Sequence, residues 1–295
     1  MKRSLLALSA SILFLTSCTE KAPVINFGEA ISQDTTFVLT TVPAAEKHNV
    51  LVEEFTGQSC SNCPAAHELL TEIQHTHDAG RINVIGLYFE GILQTRPPSG
   101  AKYDFRHEHA KLVTTAIYSG VNAIPAGGVD RVPSGGSIKL DKNAWSSLID
   151  TRLGAISPVN LKIESEYNAA DSVASIRATL VYTSLIDYPH NLTLVIVEDS
   201  IIDKQEYPST DPVHPGHDDA YLFTNVFRGM VTAVPFGDVI EPTLAAKERG
   251  RAIIKNYKYK VTNVFNHAHC RVIAFVNSSK TGDLQIIQSS QVKLK

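Results

Sequence analysis

Apolar residues fall in two rhythms along the chain, and the change comes near residue 155. From Asn49 onward, short apolar runs alternate with segments whose hydrophobic positions recur roughly every three to four residues. That pattern predicts a strand at 51–55, a helix at 64–77, a strand at 82–89, a loop through Pro97 and Pro98, and a helix at 105–118. A short strand at 127–131 then follows Ile124 and Pro125, and a helix at 142–153 takes Asp141 as its N-cap. Beyond Ser157 and Pro158, apolar and polar residues alternate one for one, as half-buried strands do. Strands are expected at 159–164, 175–181, 191–197, 258–264, 271–276 and 284–292. The predicted class is α/β plus all-β, with a β-α-β-α domain at 49–155 and a C-terminal β-sandwich at 156–295.

The N-terminus bears on compartment. Lys2 and Arg3 precede an apolar run at 5–15 that is too short to cross a bilayer as a mature helix, which is the pattern of an export signal. The run closes on Leu15, Thr16, Ser17 and Cys18 and looks like a bacterial lipobox. Residues 1–17 are therefore expected to be a lipoprotein signal peptide, Cys18 the diacylated residue, and 18–48 a lipidated tether with one strand at 35–39. An exported chain meets an oxidising space in which disulfides form. A formal charge of -3 over 295 residues lacks the basic surplus of a nucleic-acid binder, so nucleic acid is not an expected partner.

Four cysteines carry the candidate chemistry. With Cys18 committed to lipid, Cys60 and Cys63 form a Cys-x-x-Cys pair at a strand-to-helix junction, and Cys270 is left over in a strand-like stretch where a buried, inert thiol is expected. Two residues between sulfurs let one thiolate attack an external disulfide while the other resolves the mixed intermediate. Cys60 is the expected exposed nucleophile and Cys63 the buried resolving thiol. Pro64 suits the first helical position, which places Cys60 just outside the strongest field of the helix dipole. The Ile124-Pro125 bond is a candidate for the cis form, at a loop expected to lie opposite the dithiol.

These residues, Glu54 through Pro64 with Cys60, Asn62 and Cys63, followed by Ile124 and Pro125, resemble a thioredoxin-fold domain. The whole mature chain resembles the Omp twenty-eight-related outer-membrane lipoprotein family of Bacteroidetes, to which the stretch 219–228 also contributes. That resemblance implies a thioredoxin-like domain followed by a β-domain, an outer-membrane location facing the periplasm or the cell surface, and a role described as surface antigen or adhesin. It carries Cys60, Cys63 and Pro125 over as site positions. Two departures, Ser59 in place of the usual tryptophan and a proline after the pair instead of within it, point away from strong reductase activity.

Other clusters carry less. Cys60, Cys63 and His67 have a spacing that also suits copper or zinc, although no metal or cofactor is assigned. The loop at 211–219 gathers Asp and His residues without the ordered spacing of a calcium loop and reads as solvated. His107 and His109 are expected to point apart on a helix, His75 and His77 to complement a helix end, and His267 and His269 to share a strand face. Two functions stay open. One is an envelope thiol-disulfide exchanger acting on other proteins. The other is a surface binding or adhesion lipoprotein whose Cys60-Cys63 disulfide is structural.

Overall fold

The computed structural model describes residues 33–77, 80–262 and 264–295. The expected signal peptide, the lipidated Cys18 and the first part of the tether lie outside the described residues. No helix among the described residues is long and apolar enough to cross a membrane.

Strand β1 (Thr35–Val38) is followed by β2 (Val50–Phe55), α1 (Cys63–Thr76), β3 (Ile82–Leu87), α2 (Glu108–Ala116), β4 (Ala126–Val129) and α3 (Trp145–Leu153). The order read from hydrophobic periodicity over 49–155 is thus present. Strands β5 (Val159–Asn168), β6 (Val173–Tyr182), β7 (His190–Glu198), β8 (Ile201–Glu206), β9 (His217–Phe223), β10 (Val226–Met230), β11 (Asp238–Val239), β12 (Arg251–Lys260), β13 (Cys270–Ser278) and β14 (Ile286–Lys293) complete the chain. Several elements differ from expectation. Strand β12 lies earlier than the stretch predicted at 258–264, β8 to β11 were not anticipated, and His267–His269 is a 3-10 turn ahead of β13 instead of part of a strand.

The strands do not divide at residue 155. One mixed sheet runs β14-β13-β7-β10-β3-β2-β4, with β11 beside β7, and so joins both halves of the chain. The splice is β10, antiparallel to β7 on one side and parallel to β3 on the other, where Val226 stands opposite Gly86 and the Gly86 N–H donates to the Asn225 carbonyl at 2.7 Å. The change of rhythm at 155 is therefore a change of secondary structure and not a break between compact units, because residues 33–295 form one unit. A second sheet, β1-β12-β6-β5, packs on one face of β7 and β13. The sandwich expected of the C-terminal half is present in that sense, but it borrows one of its two sheets from the shared one. Strand β1 joins the edge of this second sheet, so the expected tether is already tied to the core from Thr35.

Strand alternation explains the layers. Val50, Val52 and Val84 face α1 and α3, against Ala66, Leu70, Trp145 and Ile149. Leu51, Phe55, Ile85 and Leu87 face the other way, toward α2 and toward Val195, Phe227, Ile273 and Phe275 of the second half. Leu192, Leu194, Val272 and Ala274 turn to the four-stranded sheet. Each large apolar side chain fully buried in these layers contributes roughly 1.5–3 kcal/mol. The shared sheet curls until β14 reaches the starts of β2 and β3: Asn49 N–H donates to Gln288 at 2.7 Å and Asn83 to the Ser289 hydroxyl at 2.8 Å.

Where the curl meets itself, Asp130 is fully buried and acts as a node. Its carboxylate accepts from the Leu51 N–H at 2.8 Å, Arg152 Nε at 2.8 Å and His48 Nε2 at 2.6 Å, while its carbonyl takes the Ile286 N–H at 2.9 Å. Arg131 next to it is held bidentate on the buried Glu53 at 2.8 Å, and Tyr118 donates to the same carboxylate. Gly128 leaves room for that tyrosine, since a Cβ there would lie 2.3 Å from its hydroxyl. Asp130 and Arg131 both have left-handed backbones, with φ of 47° and 53°, a conformation the paired side chains over-determine. Replacing Asp130 by Ala leaves His48 and Arg152 without their shared acceptor. It is expected to lower stability by roughly 3–5 kcal/mol in denaturant unfolding; a loss under about 1 kcal/mol would contradict the node.

Candidate functional site

The dithiol sits where β2 hands the chain to α1. After Phe55, residues 56–62 form a tight loop closed by Cys60 N–H to the Gly57 carbonyl at 3.2 Å and Cys63 N–H to the Cys60 carbonyl at 3.0 Å. Helix α1 begins at Cys63 with Pro64 in its first turn, and Asn62 makes no side-chain cap. Cys60 therefore lies outside the helix, as the position of Pro64 implied. Cys60 and Cys63 are joined in a disulfide, with Cα atoms 5.4 Å apart. The Ile124-Pro125 bond is cis. Ala126 pairs with Phe55, so Pro125 stands at the end of the sheet from which the dithiol loop emerges.

The expected exposure of Cys60 is not observed. Its residue is 3% exposed and Cys63 is 0% exposed. Two walls close the loop in. One is the single 3-10 turn Leu93–Thr95: Ser59 N–H donates to the Gln94 carbonyl at 3.0 Å, and Gly57 is obligatory because a Cβ there would lie 2.3 Å from that same oxygen. The other is the β8–β9 hairpin from the second half of the chain. Gln205, fully buried, donates through Nε2 to the Cys60 carbonyl at 3.0 Å, and the Glu206 N–H donates to the Gln58 carbonyl at 2.9 Å. Gln58 returns a bond to Asp203 at 3.3 Å. Asp203 also accepts the N–H groups of Lys102 and Tyr103, which fastens the proline loop to the same hairpin. The amide nitrogens of Gln58 and Gln205 and the carboxylate of Asp203 tie the hairpin to the dithiol loop and its walls, while the amide oxygens of both glutamines are buried without a partner.

A second buried group adjoins the loop. His67, one turn after Cys63 on α1, has Nε2 at 2.8 Å from the Thr56 hydroxyl and Nδ1 at 2.7 Å from the Tyr221 hydroxyl of β9. With Tyr221 donating to Nδ1, Nε2–H is left to point at Thr56. Glu54 Oε1 is 3.3 Å from the same Nε2 but receives no hydrogen bond. Proximity alone would favour an ion pair, and burial opposes it. Desolvation pushes Glu54 up to about 8 and His67 down to about 4, so at pH 7 both are neutral. The metal alternative at Cys60, Cys63 and His67 finds both sulfurs bonded to each other and both ring nitrogens occupied. Among the described residues no group of His, Cys, Asp and Glu is arranged to hold a metal ion.

The remaining sequence candidates are dispersed. Cys270 is buried and burial pushes its thiol up to about 12, as fits an inert core cysteine. The loop at 211–219 is largely the connection between β8 and β9, where Asp211 accepts the Val213 and His214 N–H groups. His107 and His109 do not point apart: His107 caps α2 by accepting the His109 N–H, and the rings lie 4.8 Å apart. His77 caps the end of α1 and bonds Asp150 at 2.9 Å. Glu54, Gln58, Tyr221 and Gln205 were not singled out from sequence. Only Glu54, a carboxylate inside an apolar strand run, left a signal there.

Glu54 sets a pH dependence. The native state keeps its proton up to about pH 8, whereas an ordinary glutamate loses it near 4.5. Its contribution is thus complete below 4.5 and is lost as pH rises through 8. The depressed His67 acts only below about 6.5, so it is silent from pH 6.5 to 8, and comparison with a Glu54 variant cancels His77, which its bond to the Ile73 carbonyl raises into that interval. Glu54→Gln is expected to gain stability over the unaltered protein across that interval, by roughly 2 kcal/mol in denaturation measured at the two pH values. Parallel pH profiles for the two proteins would show that Glu54 is ionised in the native state.

The family pattern described as Outer membrane protein Omp28 matches residues 113–295. No curated protein matches the chain. Among solved structures, HBP35 of Porphyromonas gingivalis is similar with a TM-score of 0.63 at 20% identity, covering 85% of this chain and 77% of that one. At this identity the likeness shows the fold alone. A domain of the outer membrane lipoprotein Omp28 from Porphyromonas gingivalis aligns with a TM-score of 0.31 at 15% identity, over 48% of this chain and 91% of that one. Protein AGR_C_4864 from Agrobacterium tumefaciens aligns at 0.47 and 13% identity, over 84% and 96%.

Proposed function

The chain belongs to the Omp28 family of outer membrane proteins, and from that premise we propose that it is an outer-membrane lipoprotein whose Cys60-Cys63 disulfide is an internal staple and whose β-rich half presents a binding or adhesion surface. In this reading Cys18 carries the lipid, the chain faces the periplasm or the cell surface, and the partners are envelope or surface proteins. The thioredoxin-like segment serves as a scaffold. The observation that carries the reading is burial. A working nucleophile must meet its substrate, and Cys60, a residue 3% exposed whose carbonyl is held by Gln205 of the hairpin, is shielded from one. No cofactor is assigned.

A second reading, thiol-disulfide exchange by attack at Cys60 and resolution at Cys63, draws support from the placement of Pro125 at the dithiol end of the sheet and from a carboxyl that titrates near neutrality beside it. Replacing both Cys60 and Cys63 by Ser separates the two. The staple reading expects an unchanged circular dichroism spectrum and a stability loss of roughly 2–4 kcal/mol in denaturant unfolding. It also expects the unaltered protein to be as inactive as the double variant toward a disulfide-bonded peptide. Exchange by the unaltered protein that the double variant lacks would favour the second reading instead.

A further inference from the structure

We propose that the β8–β9 hairpin is a latched lid over the Cys60-Cys63 disulfide, hinged at Ser200 and Asn225 and locked at its root by Arg271, so that a dithiol reaches the disulfide only when the hairpin lifts. The inference rests on the staple reading and deepens it by naming what keeps the disulfide out of exchange.

The hairpin is built as a separate part. Strands β8 and β9 pair only with each other among the described residues, forming a two-stranded sheet outside the two large ones. The chain enters it through Ser200 and leaves it through Asn225, and both residues have φ of 58°, in the left-handed region that non-glycine residues seldom occupy. Changes of backbone angle at two such element-terminal residues are how hinged segments move. Arg271 of β13 bridges the two roots. Its Nε and Nη2 bond Asp199 at 2.7 and 3.0 Å on the entering side, and Nη2 bonds the Asn225 side chain at 2.7 Å on the leaving side. The Asn225 N–H donates to Asp199 as well, at 2.8 Å.

The two faces of the hairpin are unequal. Its inner face holds the dithiol loop through Gln205 and Glu206, holds His67 through Tyr221, and rests Phe223 on Phe105 with ring centres 4.8 Å apart. Its outer face carries the cross-strand pair Ile202 and Leu222, which are 52% and 55% exposed. Among the described residues, Ile202 and Leu222 on the outer face stay largely exposed. The hairpin is held by its inner contacts and by the root clamp, which is the arrangement of an element that opens locally while the remainder stays folded.

Once open, the exposed sulfur undergoes ordinary exchange. A thiolate of the dithiol attacks Cys60 Sγ, breaking the Cys60-Cys63 bond and forming a mixed disulfide with Cys63 released as thiolate. The second thiolate of the reductant then displaces Cys60. Two electrons and, in net, two protons pass to the cysteine pair, and the reductant leaves as a cyclic disulfide.

The test follows reduction of the full chain by dithiothreitol under native conditions, quenching by alkylation and mapping label at Cys60 and Cys63 by mass spectrometry, alongside amide hydrogen exchange. Arg271→Gln removes the clamp, and Gln205→Ala removes a contact on the inner face at a separate place. Each is expected to raise the reduction rate by roughly ten- to a hundredfold, the factor that follows from removing hydrogen bonds that hold a locally opening segment. Faster amide exchange should be confined to 199–225. Slow reduction in all three proteins, or faster reduction accompanied by exchange spread through both large sheets, would overturn the lid while leaving the staple reading standing. Rapid labelling of the unaltered protein would instead overturn the shielding on which both depend.

Discussion

The constraint on which this architecture turns is the position of β10. It is hydrogen-bonded to β3 in parallel and to β7 in antiparallel fashion, so a strand from the second half of the chain completes the sheet of the first. Gly86 of β3, opposite Val226, is also opposite Glu54 of β2, two residues before the dithiol loop begins at Thr56. The connection from β7 therefore enters β10 at the level of Glu54, within reach of the dithiol loop. That connection is the hairpin. Register brings the hairpin to this level of the sheet, and its hydrogen bonds through Gln205, Glu206 and Tyr221 fold it over the disulfide loop.

Buried polar groups then fix what apolar packing leaves loose. The layers around Leu51, Ile85, Val195 and Phe275 are non-directional and would tolerate small slips of one half on the other. Asp130, which accepts from Leu51 of β2, Arg152 of α3 and Ile286 that opens β14, ties these elements in one register. Glu53 with Arg131 does the same between β2 and the turn after β4. Glu54 and His67 behave differently, because each has been desolvated without a counter-charge and each answers by becoming neutral. The inner contacts of the hairpin are with neutral partners at that point, which makes them short-ranged and sensitive to geometry.

Much of the first half was legible in the sequence because its strands and helices obey the usual periods. The strand expected at 51–55 is Val50–Phe55, the helix expected at 64–77 is Cys63–Thr76, and the Cys-x-x-Cys pair expected at their junction is there, as a disulfide. The hairpin was not legible, and its burial pattern says why. In β8 the inward residues are Ile201, Asp203 and Gln205, two of them polar, while the apolar Ile202 faces out. A strand whose polar side chains are buried against a loop inverts the alternation by which strands are recognised. The shared sheet escaped for a different reason: the pairing of Val226 with Gly86 spans 140 positions of sequence and leaves no local trace. Cys60 was accordingly expected to be exposed, as the first cysteine of such a pair is when nothing distant covers it.

The central claim is that packing holds this disulfide closed. Reduction would require two separate thiols where one bonded pair now fits, in a loop whose neighbours leave no room at Gly57 and whose carbonyls are held by Gln205 and Glu206. The most direct measurement is the reduction potential of the Cys60/Cys63 couple in the full chain, equilibrated against dithiothreitol buffers until reached from both directions. A value below about -300 mV is the expected result; one between about -270 and -120 mV, the range of proteins that exchange disulfides for a living, would contradict the account.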